Sequence, residues 1–263
     1  MIFYKFTHND MSNFTSFLSS AMGYLITSLS LYLAMLLLFF FFNRKKDNTI
    51  ISKIKIKKVL FYISIAIISF LTLYPVVTCF DTLLVKLGAK INNLTYTLST
   101  KNYFISLLSL VLAPAVCEEL LFRGIILSGL KKHGKTFSIT ITALMFCIFH
   151  MAISQTIYPL LMGLLLCVIM HYEENIYYTI IVHLTNNFLS LTLSYFKISL
   201  IFQHWTYILL AILLFLAFTS IVLYFTIKNN KNQEKQPLSK MDKIFLYSSV
   251  GVMLLFWIMV NFI

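Results

Sequence analysis

The stretch Cys117-Glu118-Glu119-Leu120-Leu121-Phe122-Arg123 places two adjacent carboxylates and an arginine at the end of an apolar run that begins at Tyr103. Ionisable side chains inside a bilayer segment are costly and indicate a functional site. On a helix, Glu119 and Arg123 share one face, with the acid on the N-terminal side, as a helical ion pair prefers. Glu118 points about 100° away from Glu119. This geometry predicts that Glu119 and Arg123 pair with each other, which leaves Glu118 free for chemistry.

The composition of the chain predicts an integral membrane protein. Of its 263 residues, 59% are hydrophobic and 11% are charged, and the mean hydropathy is +0.86. Soluble domains carry about 25% charged residues. So few polar groups cannot cover so apolar a core in water, and a bilayer is the better solvent. The net charge of +12 does not indicate a nucleic-acid partner, because the basic residues cluster between the apolar runs.

The apolar runs predict an all-α fold, a polytopic membrane helical bundle with about eight transmembrane helices. The whole chain, residues 1–263, is expected to form a single integral membrane domain. The first run is too long for a signal-peptide core and is interpreted as a retained span. The predicted spans are residues 13–43, 59–80, 103–122, 137–151, 157–172, 176–196, 205–227 and 244–263.

Lysine and arginine are distributed unequally between alternate loops. The segments 44–58, 123–136, 173–175 and 228–243 together hold 16 of the 21 basic residues. The positive-inside rule therefore predicts that these loops are cytoplasmic and that both termini lie on the opposite side of a multi-pass protein of the cell membrane. The basic clusters then contact anionic lipid in the bilayer, and no nucleic acid.

Two local features concern helix geometry. Pro114 should free the carbonyl of residue 110 and kink the third span, which would make room for water beside the carboxylates; a simple packing kink is the alternative. Glu173 and Glu174 precede the sixth span, where carboxylates favour a helix N-terminus, so they are expected to cap it. The neighbouring His171 is expected to be structural.

Other polar residues inside the predicted spans are His150, His183 and Asn187, the last two on one face of the sixth span. One chemistry is hydrolysis, in which Glu118 acts as a general base toward water while a histidine and an asparagine stabilise an oxyanion. The other is a zinc site with Glu118, His150 and His183 as ligands and an open position for water. The HExxH motif is absent, so no zincin signature supports the metal, and the residues alone do not separate the metal-free chemistry from zinc.

Three motifs carry a resemblance to a known family. Glu118-Glu119-x-x-x-Arg123, Phe146-x-x-x-His150 and His183-x-x-x-Asn187 occur in this order and in separate spans. They resemble the signature motifs of the CAAX prenyl protease and bacteriocin-processing family (CPBP or Abi) of intramembrane proteases. The resemblance covers about residues 100–195, and residues 103–196 are the predicted core that carries the motifs.

The resemblance implies a helical membrane fold with a polar cavity open toward the cytoplasm. It also implies an intramembrane endopeptidase that uses a metal-free glutamate mechanism on a peptide or membrane-anchored substrate, with bacteriocin processing or self-immunity as its context. Roles carried over to this chain are activation of water by Glu118 with His150, and stabilisation of the oxyanion by His183 and Asn187. The remaining motif positions, with a structural role expected, are Glu119, Arg123 and Phe146.

Two other functions compete with proteolysis. One is a non-catalytic immunity or partner-binding membrane protein of the same fold, although a scaffold has no need for buried glutamate, histidine and asparagine. The other is a transporter or proton relay that uses the same carboxylates. No internal repeat supports a transporter.

Overall fold

The computed structural model describes residues 21–43, 53–88, 103–196 and 236–262, and within these ranges the chain forms seven helices and no strand. The predicted all-α class is confirmed. The predicted span 205–227 lies outside the described residues. The helices are α1 (Ala21–Asn43), α2 (Ile56–Lys86), α3 (Tyr103–His133), α4 (Lys135–Phe149), α5 (Ile157–Glu173), α6 (Ile176–Tyr195) and α7 (Lys240–Phe262).

Three of these helices are long and apolar enough to cross a membrane: α2, α3 and the part of α7 from Lys240 to Met259. Helices α4 and α5 are apolar but shorter. The outer face of α2 exposes large hydrophobic side chains, among them Leu60, Phe61 and Ile68. Such a surface is unfavourable in water and suits a helix that faces lipid.

Helix α3 is longer than the predicted third span. That span was predicted to end at residue 122, with residues 123–136 in a cytoplasmic loop, whereas the helix continues to His133. Arg123 is fully buried in the protein, so its charge does not mark the end of the span. Helix α3 also contains π-helical turns at Leu107–Leu112 and Leu120–Leu127, on either side of the two glutamates; such turns are frequent at functional sites.

Helix α5 lies at the centre of the packing. One buried cluster joins α5 to α2 and α6, and a second joins it to α3, α4 and α6. The site helices are therefore held by a shared apolar core. The first cluster includes Tyr62, Leu73, Met162, Leu166 and Val182, and the second includes Leu127, Ile139, Cys167, Met170 and Ile176.

The turn between α5 and α6 corrects the expectation for Glu173 and Glu174. The N-terminus of α6 is capped by Asn175, whose side-chain oxygen accepts a hydrogen bond from the Tyr177 backbone N–H at 3.1 Å. An asparagine in this position satisfies a helix donor directly. Glu174 instead ends α5 in the left-handed region at φ 47°.

The two carboxylates tie neighbouring helices to this turn. Glu173 accepts hydrogen bonds from Lys58 Nζ and, at 2.9 Å, from the Tyr62 hydroxyl, both on α2. Glu174 accepts from Lys131 Nζ on α3 at 3.4 Å. The basic ends of α2 and α3 therefore meet the α5–α6 turn at one end of the bundle, which is called the basic end below.

Helices α4 and α5 approach each other closely at Gly163. A Cβ atom there would lie 3.2 Å from the Ala143 Cα and 3.3 Å from the Phe146 Cδ1. The Ala143 contact involves backbone, which a side-chain rotation cannot relieve. Only glycine therefore fits this crossing without a shift of α4.

We predict that Gly163→Ala lowers the midpoint of thermal unfolding in detergent, because α4 must move to admit the methyl group. Overpacking of this kind typically costs about 1–3 kcal/mol. Gly129→Ala is the matched control, because no atom lies within 4 Å of its added Cβ and alanine favours a helix. Equal midpoints for the two variants would contradict the close crossing.

Candidate active site

One cavity brings together the polar residues of three motifs. Its volume is about 570 Å³, and its lining includes Glu118 of α3, His150 just after α4, and His183 and Asn187 of α6. The four residues that the sequence analysis named as catalytic therefore border a common space. Their chemical roles depend on how each side chain is held.

Arg123 and Glu119 form a fully buried ion pair behind the cavity. Arg123 Nη1 donates to Glu119 Oε1 at 2.8 Å, as their four-residue spacing predicted. Arg123 Nη2 donates to the Gly163 carbonyl at 3.3 Å, and the guanidinium carbon lies 4.5 Å from the centroid of the Phe146 ring. Arg123 thus connects α3 with α4 and α5, and Phe146 offers its face to the cation.

His183 is held by the same carboxylate. Its Nδ1 lies 2.9 Å from Glu119 Oε1, and because a carboxylate paired with arginine accepts hydrogen bonds, the ring proton belongs on Nδ1. The other nitrogen, Nε2, lies 4.0 Å from Glu118 Oε2. In the neutral ring, Nε2 carries a lone pair. The sequence spacing predicted the Arg123 partner of Glu119 but gave no signal for this contact between α3 and α6.

Glu118 is buried and incompletely satisfied. Its residue exposure is 6%, and in the described part of the chain its Oε2 has no hydrogen-bond partner. An unpaired buried polar group of this kind costs about 1–3 kcal/mol or more. Native structures keep such groups where they have a function or bind water. The free carboxylate oxygen beside a cavity is the feature expected of a group that acts on a ligand.

His150 has one ring nitrogen committed to the backbone. Its Nδ1 lies 2.8 Å from the Phe146 carbonyl, and because a carbonyl only accepts, Nδ1 carries the hydrogen. The Nε2 atom of the neutral ring is therefore an acceptor. The bond crosses one helical turn and fixes the ring at the point where α4 ends.

Asn187 contacts the backbone of α3 one turn before Pro114. Its Nδ2 donates to the Leu110 carbonyl at 3.2 Å. This is the carbonyl that a proline four residues later deprives of its usual helical donor. The side-chain amide uses one of its two N–H groups here, and the second is available to a ligand in the cavity.

Several other residues line the cavity for which the sequence predicted no role in the site. The Tyr158 hydroxyl donates to Asn186 Oδ1 at 2.6 Å, and Asn186 Nδ2 donates to the Val182 carbonyl at 3.0 Å. Asp81 also lines the cavity, although it was expected to begin a loop. The apolar sequence Leu83-Leu84-Val85 after Asp81 was the available signal that the helix continues.

The cavity lies away from the basic end of the bundle. Its lining includes residues near the end of α2, near the start of α5 and along α6 from His183 to Ser194, and the exposed ones are Ser190 and Ser194. Lys58, Lys131 and their glutamate partners are at the opposite ends of these helices. The cavity and the basic loops were both expected at the cytoplasmic side, whereas in the structure they lie toward different ends of the bundle.

The length of α3 explains this disagreement. With the third span ending at Phe122, Glu118 was placed close to the basic end. Because the helix continues to His133, Glu118 lies about 22 Å from that end at the usual helical rise. His150 is at a similar distance from the start of α4 at Lys135. The two residues are thus at one depth, which the shorter span could not provide.

Residues 100–189, from the start of α3 through most of α6, match the family model Rce1-like, described as type II CAAX prenyl endopeptidase Rce1-like. This segment is an Rce1-like domain. It contains all three motifs, and the resemblance to the CAAX protease family is confirmed. No curated protein and no solved structure gives a match. A match to this family model implies an endopeptidase of the CAAX-protease type.

Zinc held by Glu118, His150 and His183 is the alternative that the sequence left open. Among the described residues, no group of three or more His, Cys, Asp or Glu side chains is arranged to hold a metal ion. Glu118 Oε2 and His183 Nε2 lie 4.0 Å apart. His150 does not join them in a group of three possible ligands. As placed, these residues do not form the three-ligand site that catalytic zinc requires.

We predict that Glu119→Gln and Arg123→Gln each destabilise the protein strongly, because each removes the oppositely charged partner of a fully buried charge. Breaking a buried pair typically costs about 3–5 kcal/mol. The double variant should lose less than the sum, because neither charge remains. The measurement is the thermal midpoint and folded yield in detergent. Glu174→Gln, whose pair with Lys131 is exposed, is the control; additive losses in the double variant would contradict the pairing.

Proposed function

We propose that the Rce1-like domain is an intramembrane endopeptidase that hydrolyses a peptide bond with a water molecule activated by Glu118. The observation that supports this most directly is the buried carboxylate oxygen of Glu118, which has no hydrogen-bond partner among the described residues and borders the cavity shared with His150, His183 and Asn187. A carboxylate in such a position can act as a general base.

In the proposed reaction, Glu118 accepts a proton from water as the water oxygen attacks the carbonyl carbon of the substrate. The C–O bond forms and the carbonyl becomes an oxyanion. The C–N bond then breaks, and the proton held by Glu118 passes to the leaving nitrogen. The products are a carboxylic acid and an amine, and no covalent enzyme intermediate is needed.

In this proposal His150 acts on the attacking water and Asn187 acts on the oxyanion. His150 presents Nε2 as an acceptor, because Nδ1 is bound to the Phe146 carbonyl, and it can orient the attacking water with Glu118. The second N–H of Asn187 can donate to the developing oxyanion. His183 can donate from Nε2 only as an imidazolium, because Nδ1 already donates to Glu119.

The proposed substrate is a peptide or a membrane-anchored protein segment, since the cavity lies among apolar helices. Processing of a bacteriocin precursor, or self-immunity, is one such use of the site. A bacteriocin precursor gene adjacent to the gene for this protein would support that use, and its absence from the neighbourhood would count against it.

We predict that Glu118→Gln lowers cleavage of a fluorogenic reporter peptide by at least about 100-fold, the lower range for loss of general-base catalysis. The substitution preserves side-chain size, so elution and thermal midpoint in detergent should be unchanged. Glu174→Gln, the same substitution at an exposed glutamate outside the cavity, should retain full activity. Activity in the folded Glu118→Gln protein would refute the assignment.

A second prediction concerns metal. If Glu118 acts directly on water, treatment with a strong chelator should leave the cleavage rate unchanged, and elemental analysis of the purified protein should find far less than one zinc per chain. Stoichiometric zinc, loss of activity on chelation and recovery on adding zinc would together favour the alternative with Glu118, His150 and His183 as ligands.

A further inference from the structure

Asp81 is an acidic residue on the wall of the cavity opposite α3. It lies in α2, one helical turn after Val77, and both residues line the cavity. Its Oδ1 is shielded from solvent and, in the described part of the chain, has no hydrogen-bond partner. Asp81 also forms no ion pair with any described lysine or arginine. An unsatisfied carboxylate oxygen facing a cavity is most simply satisfied by a ligand that donates to it.

The cavity as a whole has an acidic lining. Glu118 and Asp81 both contribute carboxyl groups, and none of the described residues that line it is a lysine or an arginine. Arg123 is close to Glu118 in sequence but is committed to Glu119 and the Gly163 carbonyl. Carboxylates in a low-dielectric cleft focus the field and attract cations. The lining therefore favours a positively charged group in the bound substrate.

The placement of Asp81 suits a long basic side chain. The exposed part of the lining, Ser190 and Ser194, is on the second half of α6, and Asp81 is near the end of α2 at the same end of the bundle. A peptide that enters there meets Asp81 before it reaches the more deeply buried Glu118. Apolar neighbours such as Val77 and Leu191 can cover the methylene stem of a lysine while its ammonium group reaches the carboxylate.

We propose that this cavity selects peptide substrates with a lysine or arginine near the scissile bond, and that Asp81 is the residue that binds the basic side chain. The inference rests on the proposed peptidase function of the same cavity. Glu118 performs the chemistry, and Asp81 sets the specificity through a charge-assisted hydrogen bond.

The test uses fluorophore–quencher decapeptides of mixed sequence, each with lysine, glutamine or glutamate fixed at one position. For the wild-type protein, kcat/KM should be roughly 10- to 100-fold higher with lysine than with glutamine at the selected position, as expected for a hydrogen bond to a charged group. Asp81→Asn should remove this preference, so that within this variant kcat/KM for the lysine peptides lies within about twofold of kcat/KM for the glutamine peptides, because the amide carries no charge to pair with the ammonium group. Asp81→Glu should keep the preference.

Asp242→Asn is the matched control. It makes the same chemical change on α7, where Asp242 pairs with Lys132 outside the cavity, and it should leave the preference intact. Cleavage by the wild type without any preference for lysine, or a preference that survives in Asp81→Asn, would overturn the inference and leave the proposed peptidase function standing.

A binding measurement separates the two proposals. In the Glu118→Gln protein, the same labelled peptides can be titrated without turnover and followed by fluorescence anisotropy. Tighter binding of lysine peptides that is lost on adding Asp81→Asn supports the specificity site, even if no variant cleaves any peptide. Equal binding of lysine and glutamine peptides to this protein would reject it.

Discussion

The rest of the site depends on the hydrogen bonds that the Glu119 carboxylate accepts from Arg123 and His183. This carboxylate neutralises a completely buried arginine and fixes the orientation of His183 through the same oxygen. Isolated charges in so apolar an interior would cost several kcal/mol each, and a pair with additional hydrogen bonds reduces that cost. Glu119 accepts hydrogen bonds from both Arg123 and His183, whereas Oε2 of its neighbour Glu118 has no hydrogen-bond partner in the described part of the chain. Two adjacent glutamates thus have different environments, one occupied by protein partners and one open to the cavity.

The part of the site that depends on helical periodicity could be predicted from the sequence. Residues four apart on one helix lie on one face, which gave the Glu119–Arg123 pair, and the covalent geometry of proline gave the free Leu110 carbonyl. The grouping of Glu118, His150, His183 and Asn187 came from the family motifs, since no spacing rule relates side chains on separate helices. Contacts such as Glu119–His183 or Tyr158–Asn186 depend on tertiary packing and have no local signature.

The wrong predictions for Arg123 and Asp81 share a physical cause. A hydropathy argument treats each charged residue as a sign of solvent, so Arg123 was assigned to a loop and Asp81 to the start of another. In the structure, Arg123 is hidden behind a partner and Asp81 faces an internal cavity. Because Arg123 was taken as the end of the third span, that span was predicted too short. Glu118 and Glu119 were therefore predicted to lie too close to the basic end. For Glu173 and Glu174, a general preference for acids near helix N-termini gave way to specific lysine partners and to Asn175 as the cap.

The buried arginine of α3 also constrains how the protein enters the membrane. Charged residues at the centre of a nascent span oppose insertion by roughly 2.5–3.5 kcal/mol each on scales measured with the insertion machinery. Helix α3 carries Glu118, Glu119 and Arg123 together, and the partners that stabilise them include Gly163 on α5 and His183 on α6. These partners are synthesised later than α3. Stable integration of α3 is therefore coupled to the arrival of the following helices, and a truncated chain that ends before α6 would expose its carboxylates to lipid and become a substrate for membrane quality control.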